Sequence, residues 1–190
     1  MAMLKAAEAF IRSLVDHDVD TVFGVISSHT MALFDALYEY RDAIRFIGTR
    51  HEHAAAMMAD GYARVAGKPG VCLTSTGPGA ANSMGGMGEA YFGSSALLNV
   101  TSTAEEHLYG RGLGAVHETN DQIGMFASVA QDRYHISSPD QTPHRVQDLC
   151  PVRDAPPATH RDRDARRRAR PSSADGHLHT DPGGAAVGTG

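Results

Sequence analysis

Cysteine and long apolar runs are both scarce in this sequence. Cys72 and Cys150 are the only cysteines among 190 residues, which is too few for a disulfide scaffold. No uninterrupted apolar run approaches the length needed to span a bilayer. The first helix-like segment, LKAAEAFIRSLVDHD, has no apolar signal-peptide core. These absences argue against a disulfide-stapled secreted domain and against a membrane protein, and they predict a cytoplasmic location.

An excess of positive charge is also absent. The chain carries 17 Lys and Arg against 22 Asp and Glu, a formal net charge of −5. A nucleic-acid binder needs a basic patch, often with interleaved aromatic residues, and the sequence has neither pattern. The length allows one domain with an appendage, since about 150 residues bury roughly 68–70% of the surface of the unfolded chain.

The composition changes after residue 150. Residues 151–190 hold 7 Arg, 5 Asp and 5 of the 9 prolines, but no Lys or Glu. Such a segment buries too little apolar area to offset the entropy of ordering it. We therefore predict a folded domain over residues 1–150 and a disordered tail over residues 151–190.

Two hydrophobic periodicities alternate through residues 1–150. Short apolar runs predict strands at 21–26, 44–49, 70–75 and 96–102, with a weak fifth strand at 132–138. Helical spacing predicts helices at 4–18, 30–40, 51–65, 77–92, 119–130 and 139–150. This alternation is typical of an α/β fold, in which helices cover both faces of a doubly wound parallel sheet.

Three segments are expected to meet at one edge of that sheet. Glu52 follows the second predicted strand, the Gly77-Pro78-Gly79 turn follows the third, and the loop at 103–118 follows the fourth. In open α/β sheets, ligands bind beyond the carboxyl ends of the strands. The sequence therefore predicts a ligand site at this edge.

The segment RHEHAAAMMADGYAR, residues 50–64, is open to three interpretations: a metal site, an ordinary helix start, or a carboxylate aimed at a cofactor. A zinc-binding H-E-x-x-H helix needs a second histidine where Ala55 stands, so the metal interpretation fails and we predict no metal ligands. Taken alone, Glu52 is an acid in a first helical turn, where the helix dipole stabilises it by about 0.3–1 kcal/mol.

The segment STGPGAAN matches no phosphate-binding fingerprint. It lacks the G-K-[ST] of a Walker loop and the spacing G-x-G-x-x-G of a dinucleotide site. By itself it predicts a tight turn between a strand and a helix, for which the backbone needs glycine.

Taken in order, the segments resemble a known family. RHEHAAAMMADGYARVAGKPGVCLTSTGPGAANSM, residues 50–84, carries the likeness, with VFGV, FDALYE and ALLNVTS around it. Together they resemble the N-terminal, pyrimidine-binding domain of thiamine diphosphate-dependent enzymes, in the group of acetolactate synthase, benzoylformate decarboxylase and other 2-oxo acid decarboxylases. The resemblance implies thiamine diphosphate as the cofactor and a small 2-oxo acid as the substrate.

The resemblance also implies roles for residues at the cofactor. Glu52 matches the glutamate that shares a proton with the ring nitrogen N1′ of the cofactor's aminopyrimidine and is the predicted catalytic residue. Gly77, Pro78, Gly79 and Asn82 match the turn that lines the cofactor pocket.

Substrate contacts are implied at four further positions. Ser28 matches a serine that faces the substrate carboxylate in some members, and His29 follows it. Thr74 stands where some decarboxylases carry a catalytic histidine, and His117 stands in a pair of polar residues beside the substrate. Taken singly, His29 and His117 each fit a solvated loop histidine better than a functional group.

The resemblance places the diphosphate and its magnesium on a separate domain that contains a G-D-G segment. The sequence has no G-D-G, so we expect magnesium only through a missing domain or a partner. We also expect the last strand of the pyrimidine-binding domain to be missing. We hypothesise that the chain is a truncated reading of a longer gene with a non-native tail, which translation of the downstream DNA in the other two frames tests.

Two alternatives stay open. In the first, the chain is a small pyrimidine-domain subunit of a split decarboxylase that resembles sulfopyruvate decarboxylase. In the second, it is a non-catalytic partner protein that keeps the fold. The expected partners are a further copy of the chain, in a homo-oligomer, or a separate diphosphate-domain subunit.

Overall fold

A computed structural model describes residues 6–105, 107–138 and 140–149. Spatial contacts divide the chain into two units, Met1–Pro157 and Ala158–Gly190. All described residues belong to the first unit. The tail predicted at 151–190 lies outside the described residues, as does the end of the predicted domain at residue 150.

Four parallel strands form the sheet. They are β1 (Thr21–Gly24), β2 (Arg45–Gly48), β3 (Gly70–Thr74) and β4 (Leu97–Thr101), in the order β2-β1-β3-β4. Strand β1 pairs with β2 on one side and with β3 on the other. The strand order therefore reverses between β1 and β3, because β2 lies on one side of β1 and β3 on the other. At such a point α/β sheets form a crevice for ligands.

Helices connect the strands. The structure contains α1 (Ala6–Asp16), α2 (Met31–Glu39), α3 (Glu52–Ala66), α4 (Pro78–Asn82), α5 (Met84–Phe92), α6 (Gln122–Met125) and α7 (Gln141–Leu149), with 3₁₀ turns at Ser28–Thr30 and Phe126–Ser128. No helix of the described residues is both long and apolar enough to cross a membrane.

Alternate strand residues pack against helices on opposite faces of the sheet. On one face, Val22, Val71 and Leu73 pack with residues of α1, α2 and α7. On the other face, Phe23 and Cys72 pack against the alanines of α3 at positions 55, 56 and 59. Burial of one aliphatic side chain stabilises the fold by about 1.5–3 kcal/mol. The predicted fold class, a parallel sheet covered by helices, is confirmed.

Two predicted elements differ in the structure. The fifth strand predicted at 132–138 is wrong, because those residues form no strand. Their aromatic side chains are held elsewhere, since Tyr134 lies under the guanidinium of Arg145 and His135 stacks on Tyr109. The single helix predicted at 77–92 is divided into α4 and α5 at Ser83.

A polar cluster joins the amino end of β1 to the end of α3. The carboxylate of Asp20 accepts hydrogen bonds from Lys68 Nζ at 2.6 Å, from the Tyr62 hydroxyl at 2.5 Å and from the Thr21 hydroxyl at 2.9 Å. The bonds from Lys68 and Tyr62 lower the pKa of Asp20 to about 2. This cluster lies at the edge of the sheet opposite the predicted site.

Candidate functional site

The start of α3 places Glu52 at the carboxyl edge of the sheet. After β2, the backbone N–H of Thr49 donates to the carbonyl of Gly24 at 2.7 Å, which fixes the chain beside the end of β1. His51 then caps the helix, because its Nδ1 accepts a hydrogen bond from the backbone N–H of His53 at 3.2 Å. Glu52 is the first helical residue and is only 8% exposed.

The turn after β3 lies directly against this carboxylate. Asn82 Nδ2 donates to Glu52 Oε2 at 3.1 Å. A methyl group at Gly79 would lie 2.6 Å from Glu52 Oε1 and 2.6 Å from Ser75 Cβ, so glycine is required for the close approach. The structure therefore brings three of the predicted cofactor residues, Glu52, Gly79 and Asn82, into one cluster. Pro78 starts α4 beside them and is exposed.

The loop after β4 closes over the other side of the turn. Gly77 has a φ of +56°, and a Cβ there would overlap the backbone carbonyl of His117. His117 itself has a φ of +62°, which is uncommon for a residue with a side chain. The Gly77 turn and the His117 loop are therefore in backbone contact.

Gln122 holds this contact together. Its side-chain oxygen accepts from the Gly77 N–H at 2.7 Å, and its side-chain nitrogen donates to the Ser102 carbonyl at 2.8 Å. Gln122 is 5% exposed. The amide thus ties the start of α6 to the ends of both β3 and β4.

Two histidines lie at the crevice between β1 and β3. The rings of His29 and His117 are 5.3 Å apart, and Ser28, beside His29, is exposed. Nδ1 of His29 is buried and has no hydrogen-bond partner among the residues that the structure describes. Three of the four predicted substrate positions are therefore at the crevice.

Thr74, the fourth predicted substrate position, is enclosed. Its side chain is 0% exposed, and its hydroxyl donates to Asn99 Oδ1 at 3.2 Å. The Thr74 hydroxyl thus forms a side-chain hydrogen bond between β3 and β4.

Several polar residues of the site were not predicted from the sequence. They are Ser27 and Ser75, whose hydroxyls bond to each other at 2.8 Å between the ends of β1 and β3, together with Ser83, Asn99 and Gln122. Ser27 and Ser75 could have been found from their positions, because Ser27 follows the predicted strand 21–26 and Ser75 ends the predicted strand 70–75. Asn99 carried a weaker signal, as a buried-strand residue with a polar side chain.

The cluster offers a carboxylate but no metal centre within the described residues. No group of three or more His, Cys, Asp or Glu side chains there is arranged to hold a metal ion. The site therefore contains one nearly buried carboxyl group. It accepts a hydrogen bond from an amide and is bordered by a glycine turn and two imidazoles.

A known family matches most of the described residues. Residues 4–125 match the family described as thiamine pyrophosphate enzyme, N-terminal TPP binding domain. The match includes the described parts of β1 to β4 and α1 to α6, and every predicted site residue.

Known relatives share this part of the chain. The chain is 42% identical over 152 residues to the probable 2-ketoarginine decarboxylase AruI of Pseudomonas aeruginosa, covering 80% of this chain and 27% of the relative. It is 36% identical to a probable acetolactate synthase large subunit of Methanocaldococcus jannaschii, covering 74% and 23%. With a sulfoacetaldehyde acetyltransferase of Alcaligenes xylosoxydans xylosoxydans it shares 39% identity, covering 70% and 21%.

The chain thus spans about a quarter of the length of these relatives. The family and its members also confirm the predicted cofactor, thiamine diphosphate, which is the same compound as thiamine pyrophosphate. Because residues 4–125 match, the chain belongs to the thiamine pyrophosphate enzyme family and contains its N-terminal TPP binding domain.

Proposed function

We propose that this chain supplies the pyrimidine half of a thiamine diphosphate site, with Glu52 as the catalytic carboxyl. The observation that carries the proposal is the contact of Glu52 with the turn after β3. Asn82 donates to one carboxylate oxygen, and the lack of a side chain at Gly79 lets the turn pack closely against the other.

The residues present fit the pyrimidine end of the cofactor. A carboxyl group that shares a proton with a ring nitrogen must be partly shielded from water and held in place. Glu52 meets both conditions, since it is 8% exposed and starts a helix capped by His51.

Each residue then has a separate task. Glu52 holds or releases a proton at its carboxylate, Asn82 orients that carboxylate, and the Gly77–Gly79 turn packs against it and against the His117 loop. When bound, the cofactor's thiazolium ring accepts the electrons that are released as a 2-oxo acid loses carbon dioxide. Ser28, His29 and His117 are proposed to contact the carboxylate of that substrate, because they border the same crevice.

The activity proposed for the complete enzyme is carbon–carbon bond cleavage or transfer on a small 2-oxo acid. Among the relatives, one is named a 2-ketoarginine decarboxylase and another an acetolactate synthase, which supports this class of reaction. We propose that the diphosphate and its magnesium are held by another domain or subunit, and that the active assembly is a homo-oligomer or includes a separate diphosphate-domain subunit.

Exchange of the C2 proton of thiamine diphosphate for deuterium tests the role of Glu52. The chain is assayed with a diphosphate domain supplied, either fused or as a separate subunit. Glu52→Gln should keep the fold, because glutamine has nearly the same shape. It should slow the exchange severely, because an amide does not exchange the proton that a carboxyl can.

Glu8→Gln is the matched control. Glu8 is also an acid in the first turn of a helix, but it lies on α1 and away from the site. It should leave the exchange rate unchanged. If Glu52→Gln behaves like Glu8→Gln, Glu52 is an ordinary acid at a helix start, and the alternative of a non-catalytic partner protein is favoured.

A further inference from the structure

A chain of largely buried polar groups links β3 and β4 to the helices near the site. The Thr74 hydroxyl donates to Asn99 Oδ1 at 3.2 Å, and the Cys72 thiol donates to the same oxygen at 3.4 Å. Asn99 Nδ2 then donates to Ser83 Oγ at 3.0 Å, and the Ser83 hydroxyl donates to the carbonyl of Ala80 at 2.7 Å. The chain begins on β3, passes through β4 and ends at the break between α4 and α5.

The direction of every hydrogen bond in this chain is determined. An amide nitrogen can only donate, so the Ser83 oxygen accepts from Asn99 and its own proton goes to the Ala80 carbonyl. Burial raises the pKa of the Cys72 thiol to about 12, so the thiol keeps its proton and remains a donor. Asn99 therefore connects the two ends of the chain. Its side-chain oxygen accepts hydrogen bonds from β3, and its side-chain nitrogen donates to Ser83.

The chain of hydrogen bonds ends at the turn that divides α4 from α5. Ser83 is 0% exposed and has φ −77° and ψ −14°, and its backbone N–H bonds to the carbonyl of Ala80 at 3.2 Å, as in a tight 3₁₀-like turn. The hydroxyl of Ser83 bonds to the same carbonyl. Both donors therefore fix the turn at residue 80, and the chain restarts as α5 at Met84.

Asn82 is the residue immediately before this fixed point. It is exposed, and its side-chain amide makes a 3.1 Å hydrogen bond to Glu52 Oε2. An exposed amide has many rotamers open to it, and its direction depends on the backbone that carries it. The turn that Ser83 and Asn99 hold follows Asn82 directly.

We propose that Asn99, acting through Ser83, is a positioning residue that directs the Asn82 amide onto Glu52. Asn99 itself touches neither Glu52 nor the turn at Gly77–Gly79 through any hydrogen bond of the described residues. The consequence for catalysis rests on the function proposed for Glu52. The positioning itself is a property of this chain without any ligand.

The test is nuclear magnetic resonance of the Asn82 side-chain amide in the full chain without cofactor. Its signals are identified by their loss in Asn82→Asp, and Glu52→Ala shows where they lie when the acceptor is missing. Two variants are compared: Ser83→Ala, and Ser83→Ala combined with Asn99→Leu. The double variant replaces both partners of the Asn99–Ser83 bond by apolar groups, so neither is left unpaired by the other's loss, although the Thr74 hydroxyl and the Cys72 thiol lose their acceptor.

Ser13→Ala is the matched control. The Ser13 hydroxyl is also buried and donates to a helix carbonyl, that of Ala9, at 2.8 Å, but it lies in α1 on the other face of the sheet. We expect the Asn82 signals to move toward their Glu52→Ala positions in both Ser83 variants and to stay in place in Ser13→Ala.

Wild-type Asn82 signals in the folded double variant would overturn the proposal, as would an equal movement in Ser13→Ala. If Ser83→Ala does not fold, the double variant alone decides. Because no cofactor is present, this result is independent of the deuterium exchange that tests Glu52, and the two proposals can fail separately.

Discussion

The α-carbon of Gly79 lies so close to Glu52 that a side chain at this position would displace the carboxylate. A Cβ there would come within 2.6 Å of Glu52 Oε1 and of Ser75 Cβ. We expect Gly79→Ala to cost about 1–3 kcal/mol of unfolding free energy, as is typical of overpacking. We also expect it to abolish the C2 proton exchange, measured with the diphosphate domain supplied and next to a urea titration.

Gly61→Ala provides the control for this change. Gly61 lies in α3 behind Glu52, and a Cβ there meets nothing within 4 Å. Because alanine favours the interior of a helix over glycine, Gly61→Ala should stabilise the chain by about 0.5–1 kcal/mol and keep the exchange. Equal behaviour of the two variants would contradict a steric role for Gly79.

At the residue scale, the sequence was sufficient to place Glu52 beside the Gly77–Gly79 turn. Both follow strands of one parallel sheet, and the carboxyl ends of such strands meet at one edge. It was not sufficient for Asn99 or Gln122. Their amides bond to Ser83 and Gly77, which lie 16 and 45 residues away. Such partners are decided by tertiary packing, which the local pattern of the sequence does not contain.

At the element scale, α3 and α5 pack at very short distance through Gly86. A Cβ at Gly86 would lie 2.6 Å from Ala56 Cβ and 3.0 Å from the backbone nitrogen of Met57. Gly86→Ala should therefore push the two helices apart and lower the unfolding free energy by about 1–3 kcal/mol. Urea unfolding followed by circular dichroism measures the change.

Gly88→Ala makes the same substitution two residues further along α5. There a Cβ would make only an ordinary contact, 3.7 Å from Val129 Cγ1. We expect a gain of about 0.5–1 kcal/mol, because the helix propensity of alanine is higher. If Gly88→Ala lowered the unfolding free energy as much as Gly86→Ala does, close packing of α5 on α3 would not be the cause of the loss.

The cluster around Asp20, which joins the end of α3 to the start of β1, predicts a pH dependence of stability. The folded pKa of Asp20 is lowered to about 2 by Lys68 and then Tyr62. Its stabilising contribution is therefore complete above its ordinary pKa of about 3.9 and is lost as the pH falls toward 2. Since the Asp20 side chain is 44% exposed, solvent screening limits the contribution to about 1 kcal/mol.

Urea titrations of the chain and of Asp20→Asn at several pH values measure this contribution. The difference in unfolding free energy should be largest near pH 6 and should shrink between pH 4 and pH 2. Asp35→Asn, at an exposed position of α2, controls for the loss of a carboxylate in general. A difference that stays constant down to pH 2 would contradict the role given to Lys68 and Tyr62.

The elements differ in how well the sequence predicts them. Strands β1 to β4 are short runs of apolar residues that pack on two sides, and this pattern is local. The division of residues 77–92 at Ser83 includes a partner that is distant in sequence, because Asn99 on β4 donates to the Ser83 hydroxyl. The segment at 132–138 alternates like a strand, but its His135 ring stacks on Tyr109 and its Tyr134 ring lies under Arg145. The sheet therefore has four strands in the described residues.

At the scale of the whole molecule, the proposed function predicts incomplete cofactor binding by the chain alone. Magnesium needs several oxygen ligands, and the described residues contain no group of three or more His, Cys, Asp or Glu side chains that could hold a metal ion. We expect titration calorimetry to find weak binding of thiamine diphosphate that does not change with magnesium. We also expect no release of carbon dioxide from 2-oxo acids.

Addition of a diphosphate domain is the positive control for that measurement. Binding should then become tighter and dependent on magnesium, and Glu52→Gln should be folded but slow in C2 exchange. Tight, magnesium-dependent binding by the chain alone would mean that the diphosphate is held by residues of this chain.

The contact between Gly77 and His117 restricts how this site can be redesigned. A Cβ at position 77 would overlap the carbonyl of His117, and the His117 backbone has a positive φ. A graft of the loop at 103–121 from a relative, made to alter substrate choice, therefore needs glycine at 77 and a donor loop with the same left-handed residue. A donor loop with no left-handed residue at this position should give misfolded chimeras, whereas a donor loop that has one should give folded chimeras.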